Sequence, residues 1–152
     1  MNLKKNLFPF LLLYLLVFID LFIKYLVRTN NIQEKVIVDN ILTIDLTYNT
    51  GIAFGLFSQY TLLTYVFSIL VLFWLIYQLN KIQKNTFEFY SLLLILSGAL
   101  GNLSERGWNL VNDNDGKVTD FIELLFIPSF NFADVYISIG IFFLILSELK
   151  KN

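Results

Sequence analysis

Four runs of mostly apolar residues, at about 8–27, 60–79, 87–103 and 132–149, constrain this chain more than any other feature. A bilayer's hydrocarbon core is about 30 Å thick and admits backbone only as a self-bonded helix rising about 1.5 Å per residue, so a span needs about 20 such residues. The third run is the shortest and the fourth opens on polar residues, so their ends are set only to within several positions. Of the 152 residues, 57% are hydrophobic and 15% charged, with a mean hydropathy of +0.67. A soluble domain carries about 25% charged residues. The expected fold is an all-α membrane protein with four transmembrane helices. Lys4 and Lys5 resemble the start of a signal peptide. The apolar run behind them is too long for one and no small-residue cleavage site follows, so it reads as a retained first helix.

The lysines orient the spans. Lys4 and Lys5, Lys81 and Lys84, and Lys150 and Lys151 all fall in the short segments at one face. The longer segments, 28–59 and 104–131, spread fewer basic residues over more chain and carry most of the acids. The positive-inside rule then makes both termini cytoplasmic and both long loops extracytoplasmic. Within the first outer loop, residues 41–48 alternate. Leu42, Ile44, Leu46 and Tyr48 fall on one face and Thr43, Asp45 and Thr47 on the other, the period of a half-buried strand. Asn49-Thr50-Gly51 reads as a turn, and the apolar stretch 52–57 as a return towards the membrane. A small β-element on the outer surface is expected. With no repeat, linker or low-complexity tract, residues 1–152 read as one domain.

Composition removes several chemistries. Without Cys there is no disulfide, thiol nucleophile or thiolate metal site, and without His no Ser-His-Asp or Cys-His catalysis. A zinc site would need carboxylates alone. The net charge of −1 provides no field for nucleic acid. The remaining reactive groups are Asp, Glu, Lys, Ser, Thr and Tyr.

Given this topology, the polar residues converge. The first span carries Asp20 and Lys24 towards its outer end, and the third carries Asn102, Glu105 and Arg106 at its outer end. The fourth re-enters with Asn131 and Asp134, and Asp120 lies in the loop between these two spans. Acids at a bilayer edge are costly and point to function, and two carboxyls held together share a proton, as hydrolytic dyads do. Each residue alone also has a structural explanation. Asp20 and Lys24 stand i, i+4 and can pair, and Glu105-Arg106 can form an interfacial charge pair. Asn102 can bond across helices, and Asn49 and Gly51 can be only a turn. Asp120 can be an interfacial acid or a cap, and Asp134 can cap the fourth helix. Asp113-Asn114-Asp115-Gly116 resembles part of a calcium loop, but Val111 and Ile122 occupy its end positions, so it reads as a tight turn. Asn102-Leu103-Ser104 matches a glycosylation sequon at the membrane edge and carries little weight.

Five segments together resemble the ordered motifs of the bacterial lipoprotein signal peptidase family. They are Asp20-Leu-Phe-Ile-Lys24, Asn49-Thr-Gly51-Ile-Ala-Phe-Gly55, Gly98-Ala-Leu-Gly-Asn102-Leu-Ser-Glu-Arg106, Val118-Thr-Asp120-Phe-Ile and Phe130-Asn-Phe-Ala-Asp134. The resemblance implies an intramembrane aspartic endopeptidase of the bacterial cytoplasmic membrane with its active site at the extracytoplasmic face. Its substrate would be a diacylglyceryl-modified prolipoprotein, cut before the lipidated cysteine, with membrane lipid as its surroundings. It implies no cofactor or metal and a monomer. Asp120 and Asp134 match the catalytic dyad. Asn49, Gly51, Asn102, Arg106 and Asn131 match polar positions around it, and Asp20 and Lys24 the first-helix motif. The family usually has Asp where this chain has Glu105, which lengthens that acid's reach.

Two rivals remain in view. A small transporter or channel subunit would use the acids as an ion relay, but a relay places acids through the membrane depth. Here the cytoplasmic half is clean apart from Glu88 and Glu148 at the ends. A Ser-Lys peptidase would use Lys24 as base and needs Ser104 or Ser129 as its nucleophile.

Overall fold

The computed structural model describes residues 3–51 and 56–150. Among the described residues, four helices are long and apolar enough to cross a membrane: α1 (Leu3–Thr29), α2 (Thr61–Lys81), α3 (Phe87–Val111) and α4 (Phe132–Leu149). Four strands accompany them: β1 (Lys35–Val38), β2 (Leu42–Asn49), β3 (Val118–Leu124) and β4 (Ile127–Phe130). The fourth helix has the expected bounds, the second differs from expectation by one or two residues, and the first begins five residues earlier and ends two later than expected. The expected return at 52–57 lies outside the described residues from 52 to 55.

α3 is the centre of the bundle, packed against α1, α2 and α4. Leu92, Ile95 and Leu96 on α3 form a buried core with Leu75 of α2. The outer helices turn Phe18 and Phe22, Leu70 and Phe73, and Phe142 and Ile145 outward, as suits a lipid solvent as apolar as the core. α3 and α4 meet closely. A Cβ at Gly98 would collide with the Ala133 carbonyl, and one at Gly140 would stand 2.6 Å from the Ser91 carbonyl oxygen.

The third span does not end near residue 103. α3 runs on to Val111, with Asn112 as its C-cap and Asp113 in the left-handed region at φ 56°. Hydropathy falls there because Glu105, Arg106 and Asn109 enter, but these residues are buried, so a polar stretch continues the helix. The turn expected at 113–116 follows, with Asp115 and Gly116 also at positive φ.

The sheet is larger than the single element expected in the first loop, because the second outer loop contributes half of it. The strands run antiparallel in the order β1-β2-β3-β4. Asp120 therefore stands on a strand, not in a loop. β3 is buried from Val118 to Phe121, and a strand covered on both faces shows no simple alternation. The alternation expected of 41–48 also breaks. Ile44 pairs with Ile122 but Thr47 with Asp120, so Asp45 and Leu46 together oppose Phe121 in a bulge. The Leu46 N–H turns away to the Ile32 carbonyl at 3.1 Å. Past the bulge the faces exchange, which puts Thr47 and Asn49 on the face that carries Asp120.

Candidate active site

α1 presents one stripe, Asp20, Lys24 and Arg28, spaced i, i+4, i+8. Asp20 and Lys24 are fully buried and ion-paired at 2.9 Å. Their pairing is as expected, and it extends further. The other Asp20 oxygen accepts the Ala133 N–H at the start of α4 at 2.9 Å. Lys24 Nζ also donates to Asn102 Oδ1 at 2.6 Å and lies 3.3 Å from Glu105 Oε2. A Cβ at Gly101 would come within 2.5 Å of Asp20 Oδ2, so glycine leaves room for this buried charge pair.

Asn102 passes the network on to α4. Its Nδ2 donates to Asp134 Oδ1 at 2.9 Å, and its Oδ1 accepts Asn131 Nδ2 at 3.1 Å. Asn131 and Asp134 form a capping box. The Asn131 side chain accepts the Asp134 N–H, and Asp134 Oδ2 accepts the Asn131 N–H, each at 3.1 Å. The N-cap of α4 is therefore Asn131, and Asp134 is the third residue of the helix, committing one oxygen to the box. Asn131 Nδ2 also reaches Asp120 Oδ1 at 2.6 Å. One buried amide thus ties together the two aspartates that the sequence singles out.

Both aspartates line one cleft of about 990 Å³. Thr47, Asn49 and Asn131 line its polar side, and Phe67, Val71 and Ile141 from α2 and α4 line an apolar flank. Thr47 Oγ1 donates to the Asp120 carbonyl at 3.2 Å. Asn49 Oδ1 accepts the Gly51 N–H at 2.8 Å, which makes the expected turn. Burial first, and then the charge of Asp134, push the Asp120 carboxyl up to about 7. Bonds from Asn131 and Asn49 and the charge of Lys24 act the other way without cancelling that rise. Such a carboxyl holds a proton near neutral pH and can donate it, while a neighbouring carboxylate can accept one.

Glu105 and Arg106 do not pair with each other. Adjacent helical residues point in different directions, and each has its own partners. Glu105 bonds Lys24, Arg28 and Thr119. Arg106 donates to the carbonyls of Thr50, Gly51 and Gly116, which clamps the two outer loops to the end of α3. All ten residues singled out in the sequence thus belong to this cleft or to the network behind it. Arg28, Thr119 and Asn109 were not singled out. Arg28 continues the α1 stripe, and Thr119 precedes Asp120. Asn109 Nδ2 donates to the Lys117 carbonyl at 2.6 Å, holding the turn before β3.

Comparison with known proteins identifies the family. The family model described as signal peptidase (SPase) II fits residues 12–150. A lipoprotein signal peptidase of Caldanaerobacter subterraneus subsp. tengcongensis is 35% identical over 127 residues, 82% of this chain and 83% of that protein. One from Francisella tularensis subsp. novicida is 31% identical over 161 residues, covering 97% and 94%. A solved bacterial membrane enzyme superposes with a TM-score of 0.83 at 29% identity, covering 93% of this chain and 87% of its own. A second superposes with a TM-score of 0.78 at 27% identity, covering 95% and 94%. With four apolar helices, a small antiparallel sheet and a family match over nearly its whole length, this chain belongs to the signal peptidase II family.

Proposed function

We propose that this protein is an aspartic endopeptidase that removes signal peptides from diacylglyceryl-modified prolipoproteins, cutting before the lipidated cysteine. The observation that carries this reading is the meeting of Asp120 and Asp134 on one cleft through Asn131, whose side-chain amide bonds Asp120 and whose backbone N–H bonds the Asp134 carboxylate. Asp120, whose carboxyl is pushed up to about 7, is the acid partner in the resting enzyme. Asp134, with Asn102 on one oxygen and the Asn131 N–H on the other, is the base partner. As the base takes a proton from water, the water oxygen attacks the scissile carbonyl. The acid donates to the developing oxyanion, giving a gem-diol. Asp134 then passes the proton it took from water to the leaving nitrogen, and Asp120 takes back a hydroxyl proton as the C–N bond breaks and the new carboxyl forms. The dyad titrates as a pair, so these roles describe its dominant proton arrangement.

The apolar flank of the cleft suits a lipid-bearing peptide whose acyl chains stay in the bilayer. Asn49 and Asn102 are groups that would hold the peptide extended, with Arg106 keeping the Thr50-Gly51 loop in place. In this reading residues 1–152 act as one monomeric domain in the bacterial cytoplasmic membrane. The lysine distribution supports cytoplasmic termini and an extracytoplasmic cleft.

The test is cleavage of a diacylglyceryl-modified prolipoprotein peptide by purified protein in detergent with EDTA present. Wild type should cut before the lipidated cysteine. Asp120→Asn and Asp134→Asn should each lose about a thousandfold in kcat, as members of one catalytic unit do. Full activity in either folded variant removes that residue from catalysis, and a folded but inactive wild type rejects the peptidase reading.

A further inference from the structure

β4 pairs with β3 only as far as Ile122, opposite Phe130. Beyond that point no strand of the described residues lies beside the β3 edge at Thr119, yet Thr119 is fully buried. An unpaired backbone N–H or C=O in such a place is costly. Side chains replace the missing strand. Glu105 Oε2 accepts the Thr119 N–H at 3.1 Å, and Asn131 Nδ2 reaches the Thr119 carbonyl at 3.2 Å. Glu105 Oε1 also accepts the Thr119 hydroxyl at 2.6 Å. Thr119 and Asp120 share a peptide unit and project to opposite faces of β3, so fixing the first orients the second.

Glu105 must itself be held. Its buried carboxylate shares Lys24 with Asp20 and takes a second cation from Arg28, whose Nη1 lies 3.1 Å from Oε1. Arg28 is the outermost member of the α1 stripe, and its side chain is 30% exposed. With it, two acids face two cations behind the cleft. Glutamate reaches both Arg28 and both donors of Thr119 at once.

We propose that Arg28, Glu105 and Thr119 form a positioning chain that sets the place of Asp120 in the cleft, with Arg28 as its outer anchor. None of the three touches the reacting atoms. The chain's catalytic consequence rests on the peptidase reading above, but its physical basis does not.

Two measurements separate these. In detergent-solubilised protein, hydrogen exchange of the Thr119 amide reads the chain directly, with no substrate. Arg28→Ala should speed that exchange at least about tenfold, the scale of one weakened bond to a charged group. Arg28→Lys should keep it closer to wild type. In the cleavage assay, Arg28→Ala and Thr119→Val should each lower kcat about tenfold with KM within about twofold, the mark of an effect on chemistry and not on binding. Thr119→Ser, which keeps the hydroxyl, should recover most of the loss. The double variant Arg28→Ala/Thr119→Val should fall little below the worse single, because contacts in series do not add. Unchanged exchange in Arg28→Ala overturns the chain, as does multiplicative loss in the double variant. Because Arg28 lies at the rim, its variant remains informative even if Thr119→Val does not fold. A wild type that cleaves nothing rejects the peptidase reading, while the exchange result still decides the chain.

Discussion

The Asn131 side-chain amide lies 2.6 Å from Asp120 Oδ1, and the backbone N–H of the same residue donates to Asp134 at 3.1 Å. Asn131 is also the N-cap of α4. A helix cap and a dyad bridge are therefore one residue, and the requirement that starts α4 also sets the spacing of the two acids.

Removing Asn131 should consequently damage both roles. Asn131→Ala loses a cap and leaves Asp120 short of a donor, at a cost of about 1–2 kcal/mol in stability. Thermal unfolding in detergent would measure that loss. Cleavage should fall by more than the loss of folded protein explains; a fall that tracks folding alone would confine Asn131 to capping.

The raised Asp120 carboxyl gives a pH dependence of known sign. It holds its proton up to about 7, against an ordinary value of 3.8. On the alkaline side, activity that needs this proton should fall about tenfold per pH unit above about 7. Stability is linked in the same direction. The folded state binds the proton more tightly than the unfolded state, so this contribution is full below the ordinary range and is lost as pH rises through about 7. Asp120→Asn should flatten the stability profile between those limits, which equilibrium unfolding across pH would detect.

Lys24 is committed to Asp20, Glu105 and Asn102. Lys24→Met leaves two buried acids without their shared cation and should destabilise by about 3–5 kcal/mol. Asp20→Asn in the same chain should return part of that, as an unfolding cycle of the single and double variants would show. A lysine so engaged is poorly suited to activate a serine. Ser104→Ala and Ser129→Ala should accordingly keep nearly full cleavage, and loss in either would revive the serine mechanism.

Gly101 is needed for space. An alanine there would put a methyl 2.5 Å from Asp20 Oδ2. Because Asp20 is pinned by Lys24 and by the Ala133 N–H, it cannot retreat freely. Gly101→Ala should lower stability by about 1–3 kcal/mol, the usual range for overpacking. An unchanged melting temperature would mean that α1 moves away at no cost.

Arg106 should not tolerate lysine. Its planar fork serves three carbonyls from two loops, and a single ammonium cannot match that spread. Arg106→Lys should raise KM several-fold and speed proteolysis near residue 50. Wild-type values of both would mean the loops are held elsewhere.

The helices and most of the cleft residues were legible for a simple reason. Membrane spans and the positions of charges within them are local properties, and the structure fixes the start of 132–149 with the Asn131–Asp134 capping box. The end of α3 was not legible, since the polarity of Glu105, Arg106 and Asn109 is offset by partners distant in sequence. The same holds for β3, whose two covered faces hide the strand period.

The sequence alone thus determined four spans and the convergence of Asp20, Lys24, Asn102, Glu105, Arg106, Asn131 and Asp134 on one side of the bundle, because each follows from hydropathy and 1.5 Å of rise per residue. Only the tertiary structure decided that Asp120 sits on a strand and that a bulge at Asp45 and Leu46 turns Asn49 to its side. It also decided that Glu105 serves Thr119 and not Arg106. Those outcomes depend on which buried polar group finds a partner when helices and sheet close together, and no local pattern encodes that choice.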